Sequence, residues 1–314
     1  MLLWLTMLYE LLSVLRHRQD PISGETLGRS LGVSRVAVWK HVEELRSLGY
    51  DVAATSRGYC LQSCPDLLLP GEFPGWEDRV HYFAEVDSTM RLARELARKG
   101  APQGTLVTAE IQTGGRGRLD RSWASPPGGV YMTLVTRPRA AVVMAPRINL
   151  VASVAVSTAV EHLLGVPARV KWPNDVLVDG KKLCGILAEM EAELDAVRFV
   201  NVGIGLNANS HVSDLQVGAV SLVELVGRPV DRKAIACEIV QGILARLPAL
   251  DKPQVLDEWR DRAYTLGRAV IISGRDEVVE GVAVDIDDFG ALIVRRDDGS
   301  VTSVVAGDCV HRTD

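Results

Sequence analysis

Between Ser63 and Val80 the chain carries Pro65, Pro70, Gly71, Pro74 and Gly75. Proline fixes φ and lacks an N–H, so no long helix or strand ladder runs through such a stretch. The chain is divided there. Residues 63–80 read as a linker between an N-terminal domain, residues 1–62, and everything that follows. A length of 314 residues allows two or three domains with ample core. A hydrophobic share of 47% excludes a disordered chain. A net charge of −5 argues against nucleic acid bound along the whole length, but not against one small DNA-binding domain.

Met1 to Leu15 is apolar enough to pass for a signal peptide. It lacks a basic leading segment, contains Glu10 and offers no Ala-x-Ala cleavage site before the polar run Arg16 to Asp20. It is also too short to span a bilayer. It reads as the first helix of a domain. No other segment reads as a membrane span, and the cytoplasm is the expected location. Cysteines stand at 60, 64, 184, 237 and 309, with no Cys-x-x-Cys and no histidine cluster beside Cys60 and Cys64. Reduced thiols and no metal site are expected.

Within residues 1–62, Ser23 is placed to cap a helix that opens at Gly24. Leu31-Gly32-Val33-Ser34 forms a tight turn, and Ser34 caps a second helix from Arg35 to Leu48. Val38, Val42, Leu45 and Leu48 share one face of it. Arg35, Val36 and Lys40 lie off that stripe, near its start. Two helices joined by a glycine turn make a helix-turn-helix, whose second helix reaches base edges and phosphates. Tyr50–Ala54, the turn Thr55-Ser56-Arg57-Gly58 and Tyr59–Leu61 then form a wing with Arg57 at its tip. Ser34, Arg35, Val36, Lys40 and Arg57 are the candidate DNA contacts. The competing reading is a helical scaffold or dimerisation piece, and cations barely outnumber anions here. The order of elements favours DNA, bound by a dimer.

From Val80 to about 265, β-rich and helical runs alternate. The expected strands are Val80–Glu85, Thr105–Glu110, Val130–Thr136, Lys182–Met190 and Val197–Gly203, and the expected helices Ser88–Lys99, Arg147–Leu164, Arg232–Leu247 and Gln254–Tyr264. From about Gly267, short strands (Ala269–Ser273, Val278–Asp285, Ala291–Arg295, Val301–Val305) alternate with Asp/Gly turns, which suggests a small antiparallel barrel. The expected fold is α+β and multidomain, with a catalytic domain over 81–265 and a C-terminal domain over 266–314.

Four elements carry chemistry. Gln112-Thr113-Gly114-Gly115-Arg116-Gly117-Arg118 follows an expected strand. Exposed N–H groups of such a loop can cradle an anion, and two arginines add positive charge. Alone, it is a solvated basic turn. Trp123, just downstream, is either core or a platform for a base. Lys171-Trp172-Pro173-Asn174-Asp175 places a lysine and a carboxylate across a rigid turn. That pair suits adenylation of an acid followed by acyl transfer, although an isolated pair of this kind is usually a surface ion pair. Lys182-Leu183-Cys184-Gly185 puts a lysine at the mouth of a strand. Val202-Gly203-Ile204-Gly205-Leu206-Asn207 flanks an apolar residue with glycines, and no third glycine and helix follow as a dinucleotide fold requires.

Asp87-Ser88-Thr89, the Gly115–Arg118 loop with Trp123, Lys171–Asp175, Lys182–Leu187 and Gly203–Asn207 occur in the order found in biotin–protein ligases. With the helix-turn-helix in front, the whole chain resembles the bifunctional bacterial biotin ligase and biotin operon repressor. The resemblance implies a central mixed-sheet α/β domain like that of the class II aminoacyl-tRNA synthetases and an SH3-like C-terminal barrel. It implies two reactions. Biotin and Mg2+-ATP give biotinyl-5′-AMP and pyrophosphate, and a lysine of a biotin carboxyl carrier protein then takes the biotinyl group. By the same resemblance, Ser88, Thr89 and Gln112 match the ureido ring's donors and acceptors. Arg116, Gly117 and Arg118 close over the ligand, and Lys182 stabilises the developing oxyanion. Trp123 and Asn207 hold adenine, and Arg121, Lys171 and Arg312 contribute to the adenylate or ATP site. Asp175 takes the acceptor lysine's proton. The adenylate also acts as corepressor, promoting a homodimer that binds a two-fold operator.

The chain departs from the family pattern at Met90, where asparagine is usual, at Asp120, where glycine is common, and at the bulky Trp39 of the second helix. Two other readings stand beside this one. A lipoate–protein ligase has no need of the ureido partners and lacks a winged helix. A regulator whose ligase domain only senses ligand has no need to keep Arg118, Asp175 and Lys182 together.

Overall fold

The computed structural model describes residues 2–18, 20–193, 196–212, 217–274 and 277–312. The chain separates into two compact units, Met1–Val80 and His81–Asp314.

The first unit opens with helices α1 (Leu2–Arg16), α2 (Gly24–Leu31) and α3 (Arg35–Ser47), followed by strands β1 (Asp51–Thr55) and β2 (Gly58–Ser63). Met1, expected within the first helix, lies outside the described residues. Ser23 and Ser34 cap α2 and α3, their hydroxyls accepting from Thr26 N–H and Ala37 N–H. Val38, Val42 and Leu45 are fully buried with Leu8, Leu11 and Leu12 of α1. β1 and β2 pair antiparallel as the wing, and Ile22 bridges Tyr59 on its other side.

The stretch read as a linker is packed instead. It turns through two short 3-10 helices, Pro70–Glu72 and Glu77–Arg79, and buries Leu68, Leu69 and Phe73. Glu72 is buried, receives a 2.5 Å hydrogen bond from the Tyr50 hydroxyl and pairs with Arg16, whose guanidinium also donates to Gly71 C=O at 2.6 Å. Prolines stop regular structure but do not stop burial, and the leucines and phenylalanine between them supply the driving force.

The second unit contains β3 (Val80–Val86), α4 (Thr89–Arg98), β4 (Leu106–Gln112), β5 (Val130–Thr136), α5 (Arg147–Leu164), β6 (Arg169–Lys171), β7 (Asp175–Val178), β8 (Lys181–Glu193) and β9 (Ala196–Leu206). The strands form a seven-stranded mixed sheet in the order β3-β4-β5-β9-β8-β7-β6, antiparallel from β4 through β6. α4 packs on one face over Val107, Val135 and Phe199. Then follow α6 (Leu222–Val226), which the sequence reading missed, α7 (Arg232–Arg246) and α8 (Pro253–Arg262).

The segment Val142–Leu164, which includes α5, is long and apolar enough to cross a membrane, contrary to the reading that no further segment approaches a span. Its apolarity has another cause. α5 is buried along most of its length against α7, α8 and the strands, and a helix covered on several sides is apolar on several sides.

β10 (Ala269–Ser273), β11 (Val278–Ile286), β12 (Leu292–Arg295), β13 (Val301–Val304) and β14 (Asp308–His311) form a five-stranded antiparallel sheet in the order β13-β12-β11-β10-β14. β14 was not anticipated. This SH3-like domain shares one core with the central domain. Leu150, Val170, Trp172 and Trp259 pack with Val270, Ile272, Ile286, Leu292 and Val294. The Trp172 indole N–H also donates to Gly290 C=O at 3.1 Å.

Candidate active site

One side of the central sheet carries a polar cluster around Thr89, at the start of α4. Its N–H and hydroxyl both donate to Gln112 Oε1, at 2.9 and 3.0 Å, and its hydroxyl also meets that of Thr133 at 2.9 Å. Gln112 Nε2 continues to the Ser125 hydroxyl at 3.0 Å. The result is a hydrogen-bonded row running from α4 across β4 to the segment after the glycine loop. Ser88 is buried in front of α4, and its N–H donates to Asp87 Oδ1 at 2.8 Å.

Trp123 lies over a floor without side chains. A Cβ on Gly205 would stand 2.5 Å from the indole, and one on Gly185 2.9 Å from it, so these positions on β9 and β8 accept only glycine while the ring is there. The Trp123 indole N–H is buried without a hydrogen-bond partner. Lys182 Nζ stands 5.4 Å from the ring centroid and 2.8 Å from Asp175 Oδ1. Lys182, Asp175 and Trp123 are thus assembled from three separate stretches of sequence. Lys171, four residues before Asp175, faces Asp175 across the β6–β7 pairing, but the ion pair is made by Lys182.

The loop after the glycines is held by charge. Arg118 Nη1 donates to Asn174 Oδ1 at 3.1 Å and Gly307 C=O at 3.2 Å, and burial pulls the Arg118 pKa below its usual value. Arg121 forms a two-point pair with Asp308 at 2.6 and 3.2 Å. That pair holds the Asp308 carboxyl below the usual carboxylate range. Gly117 N–H donates to Arg121 C=O at 2.7 Å, and Arg116 reaches Glu189 at 3.9 Å. Leu119 sits in the left-handed region at φ 54°, unusual for a branched side chain. The Asp120 side chain lies outside the described residues.

The other candidate residues have the following places. The Asn207 amide donates to Val220 C=O at 3.2 Å and Lys182 C=O at 3.5 Å, so it braces the backbone at Lys182 and leaves only its oxygen to a ligand. Arg312 follows β14 in the C-terminal sheet and pairs with Glu280 at 3.8 Å. The Ser34 hydroxyl is engaged as a helix cap. Arg35, Val36, Lys40 and Arg57 are exposed as expected. Met90 is buried, and its methyl lies over Gly203, 2.7 Å from where a Cβ would be. The thioether fills the space above a glycine and makes no polar contact there.

Thr133, Ser125, Asn174 and Asp308 were not anticipated. Asn201 was not either. It lies two residues before Gly203 on the same face of β9, fully buried, its amide without a partner. A hydroxyl or amide within an otherwise apolar strand was the available signal for Thr133 and Asn201.

A cavity of about 510 Å³ also opens beside Arg118, lined by Leu150, Trp172, Pro173, Met190 and Phe289 among others. It shares only Arg118 with the constellation above and is mainly apolar. The hydrogen-bonding row, not this cavity, is the part that can complement a polar heterocycle.

A winged helix-turn-helix, a mixed sheet with a lysine-carboxylate pair over a glycine floor, and an SH3-like sheet define a class: a protein ligase carrying a DNA-reading head. Residues 82–209 match the biotin/lipoate A/B protein ligase family, residues 265–312 the biotin protein ligase C-terminal domain and residues 8–60 an HTH domain. The chain is 38% identical over 297 residues to the bifunctional ligase/repressor BirA of Bacillus subtilis, covering 88% of this chain and 90% of that protein. It is 32% identical to BirA of Escherichia coli, covering 88% of each. The biotin protein ligase of Aquifex aeolicus, solved with biotin and ATP, superposes with a TM-score of 0.64 at 27% identity, covering 75% of this chain and 99% of that one. The chain belongs to the biotin protein ligase family, in its bifunctional ligase/repressor branch.

Proposed function

We propose that this protein joins biotin to a carrier-protein lysine through biotinyl-5′-AMP, and that the adenylate-bound form represses transcription. The observation that carries the reading is the Thr89–Gln112–Ser125 row standing beside the Lys182–Asp175 pair. One offers donors and acceptors to a ureido ring, and the other offers charge to a carboxylate.

In the first step a biotin carboxylate oxygen attacks the α-phosphorus of ATP, and the bond to pyrophosphate breaks. Mg2+ enters with ATP, held chiefly by phosphate oxygens; no cluster of three or more acidic, histidine or cysteine side chains offers it a cage among the described residues. Lys182 offsets the negative charge that builds between acid and phosphate, and Arg116, Arg118 and Arg121 of the loop add positive charge as it closes over the ligand. Lys171, close enough to lower the Asp308 pKa, adds positive charge at the loop's anchor. Trp123 stacks on a ring of the ligand, and Ser88 lines the ureido end. In the second step the acceptor amine attacks the acyl carbon, AMP leaves, and Asp175 accepts the amine's proton. The anionic ligand competes for Lys182, which frees Asp175 for that role.

The repressor half rests on the winged helix, with Arg35, Val36, Lys40 and Arg57 facing operator DNA. A homodimer is supported by β8. Beyond Gly185 its outer edge runs past the end of β7, and Met190 and Val143 are exposed nearby. The cytoplasm, where apo carrier and operator are both found, is the working location.

The test is to incubate the protein with Mg2+-ATP, an apo carrier domain and either biotin or lipoate, then weigh the acceptor. A biotinyl mass supports the reading. A lipoyl mass, or no addition while ligand still tightens DNA binding, overturns its enzymatic half.

A further inference from the structure

The helix that presents Arg35 and Lys40 also exposes two large apolar side chains. Val36 is 63% exposed and Trp39 51%, whereas Val38, Val42 and Leu45 of the same helix are fully buried. Positions three apart lie side by side on a helix, so Val36 and Trp39 form one patch opposite the core. Arg35 and Lys40 flank it, both exposed. The carboxylate on this face is Glu43, one turn further on, and Arg46 holds it at 2.6 Å. Two large apolar side chains set side by side between cations make an apolar patch whose burial against a partner is favourable.

We propose that Val36 and Trp39 read thymine 5-methyl groups in the major groove. The inference rests on the DNA-binding reading and specifies what that helix recognises. A protein partner would cover the same apolar area, but the patch is bordered by cations and the wing adds Arg57, a setting complementary to phosphate. In the major groove the thymine methyl is the apolar feature that separates T·A from the other pairs. A valine has no donor and an indole has one, so neither matches guanine's two acceptors in the two-point manner of an arginine. The half-site therefore carries thymines where the start of α3 enters the groove.

The experiment uses the full-length protein with biotin and Mg2+-ATP. A duplex is enriched from a random library, and each thymine is then replaced in turn by deoxyuridine, which removes only the methyl. One or two positions per half-site should weaken wild-type binding by about fourfold each, the worth of one buried methyl group. Trp39→Ala and Val36→Ala should bind more weakly and lose that sensitivity at their own position. Arg57→Ala should weaken thymine and deoxyuridine duplexes equally. Retained ligase activity and an unchanged melting temperature show that each variant is folded. Wild-type protein indifferent to every substitution, or a Trp39→Ala variant as sensitive as wild type, overturns the proposal while leaving DNA binding intact. A Trp39→Ala variant that changes self-association but not DNA affinity assigns the patch to a protein contact and also overturns it. Failure to enrich any duplex removes the DNA-binding reading itself.

Discussion

On the α4 side of the candidate site, Thr89, Gln112, Ser125 and Thr133 are joined to one another by short hydrogen bonds among buried or half-buried groups. On the barrel side, Arg121 meets Asp308 where both side chains are open to water, and only Arg118 is partly covered. The first region is set before any ligand arrives, because each polar group already has its geometry. The second depends on charges that salt screens and that a phosphate can replace. On the proposed reading, recognition of the acid is built into the sheet, while capture of the nucleotide is left to a loop whose contacts can exchange.

Breaking the junction of the two regions should have the largest effect. Lys182→Ala removes the charge proposed to face the reacting atoms and breaks the ion pair with Asp175. Biotin-dependent pyrophosphate release should fall by about 10²–10³-fold with the fold retained, as followed by a coupled phosphate assay and circular dichroism.

Next comes the preset region. Gln112→Leu leaves the Thr89 N–H without its acceptor, while the Ser125 hydroxyl keeps only its contact to Trp123 C=O, which should cost about 1–3 kcal/mol of stability in a urea melt and weaken biotin binding by calorimetry. An unchanged melt and affinity would show that the row is not the rigid half.

Arg121→Ala or Asp308→Asn should be milder, within about 1 kcal/mol, and should disappear at high salt. The KM for ATP should move while biotin affinity stays. The opposite pattern would reverse the comparison.

The last effect concerns pH and is confined to an acidic window. Burial, with Lys171 and Arg268 nearby, lowers the His311 pKa from 6.5 to about 4. The folded state holds this ring neutral, so between those values the unfolded chain binds more protons. The contribution is full above pH 6.5 and is lost as pH falls toward 4. Thermal melts of His311→Gln against wild type should show a shallower loss of stability in that window.

Much of this was legible in sequence because the signals were local. Val130–Thr136 and Arg147–Leu164 appear as strand and helix with the bounds their periodicity indicated. The glycines at 185 and 205 marked a backbone that something approaches closely, although Trp123 as the occupant was not expected. What was missed is non-local. Asp308 pairs with Arg121 from the far end of the chain, and no pattern within either segment reveals a charge pair closed by tertiary packing. β14 carries Asp308, Cys309, Val310 and His311, with a single β-branched residue between a charged and a titratable end, so its composition did not read as a strand. Asn207 was placed near the ligand by its motif, yet its donor is spent on the carbonyls of Lys182 and Val220. Lys171 and Asp175 do face each other across the β6–β7 pairing, but the ion pair is closed by Lys182, which stands opposite Leu177 on β8 and reaches along the sheet to Asp175.

The packed stretch after the wing bears on how such proteins exchange parts. A head cut at residue 62 would leave Arg16 and Tyr50 facing the gap vacated by Glu72, and would uncover the apolar surface beneath Leu68, Leu69 and Phe73. A recombination joint near residue 80 carries that strap along with the helices. Grafted heads ending there should be soluble and cooperative in unfolding, whereas heads ending at 62 should aggregate. The portable DNA-reading module is thus longer than its helix-turn-helix motif.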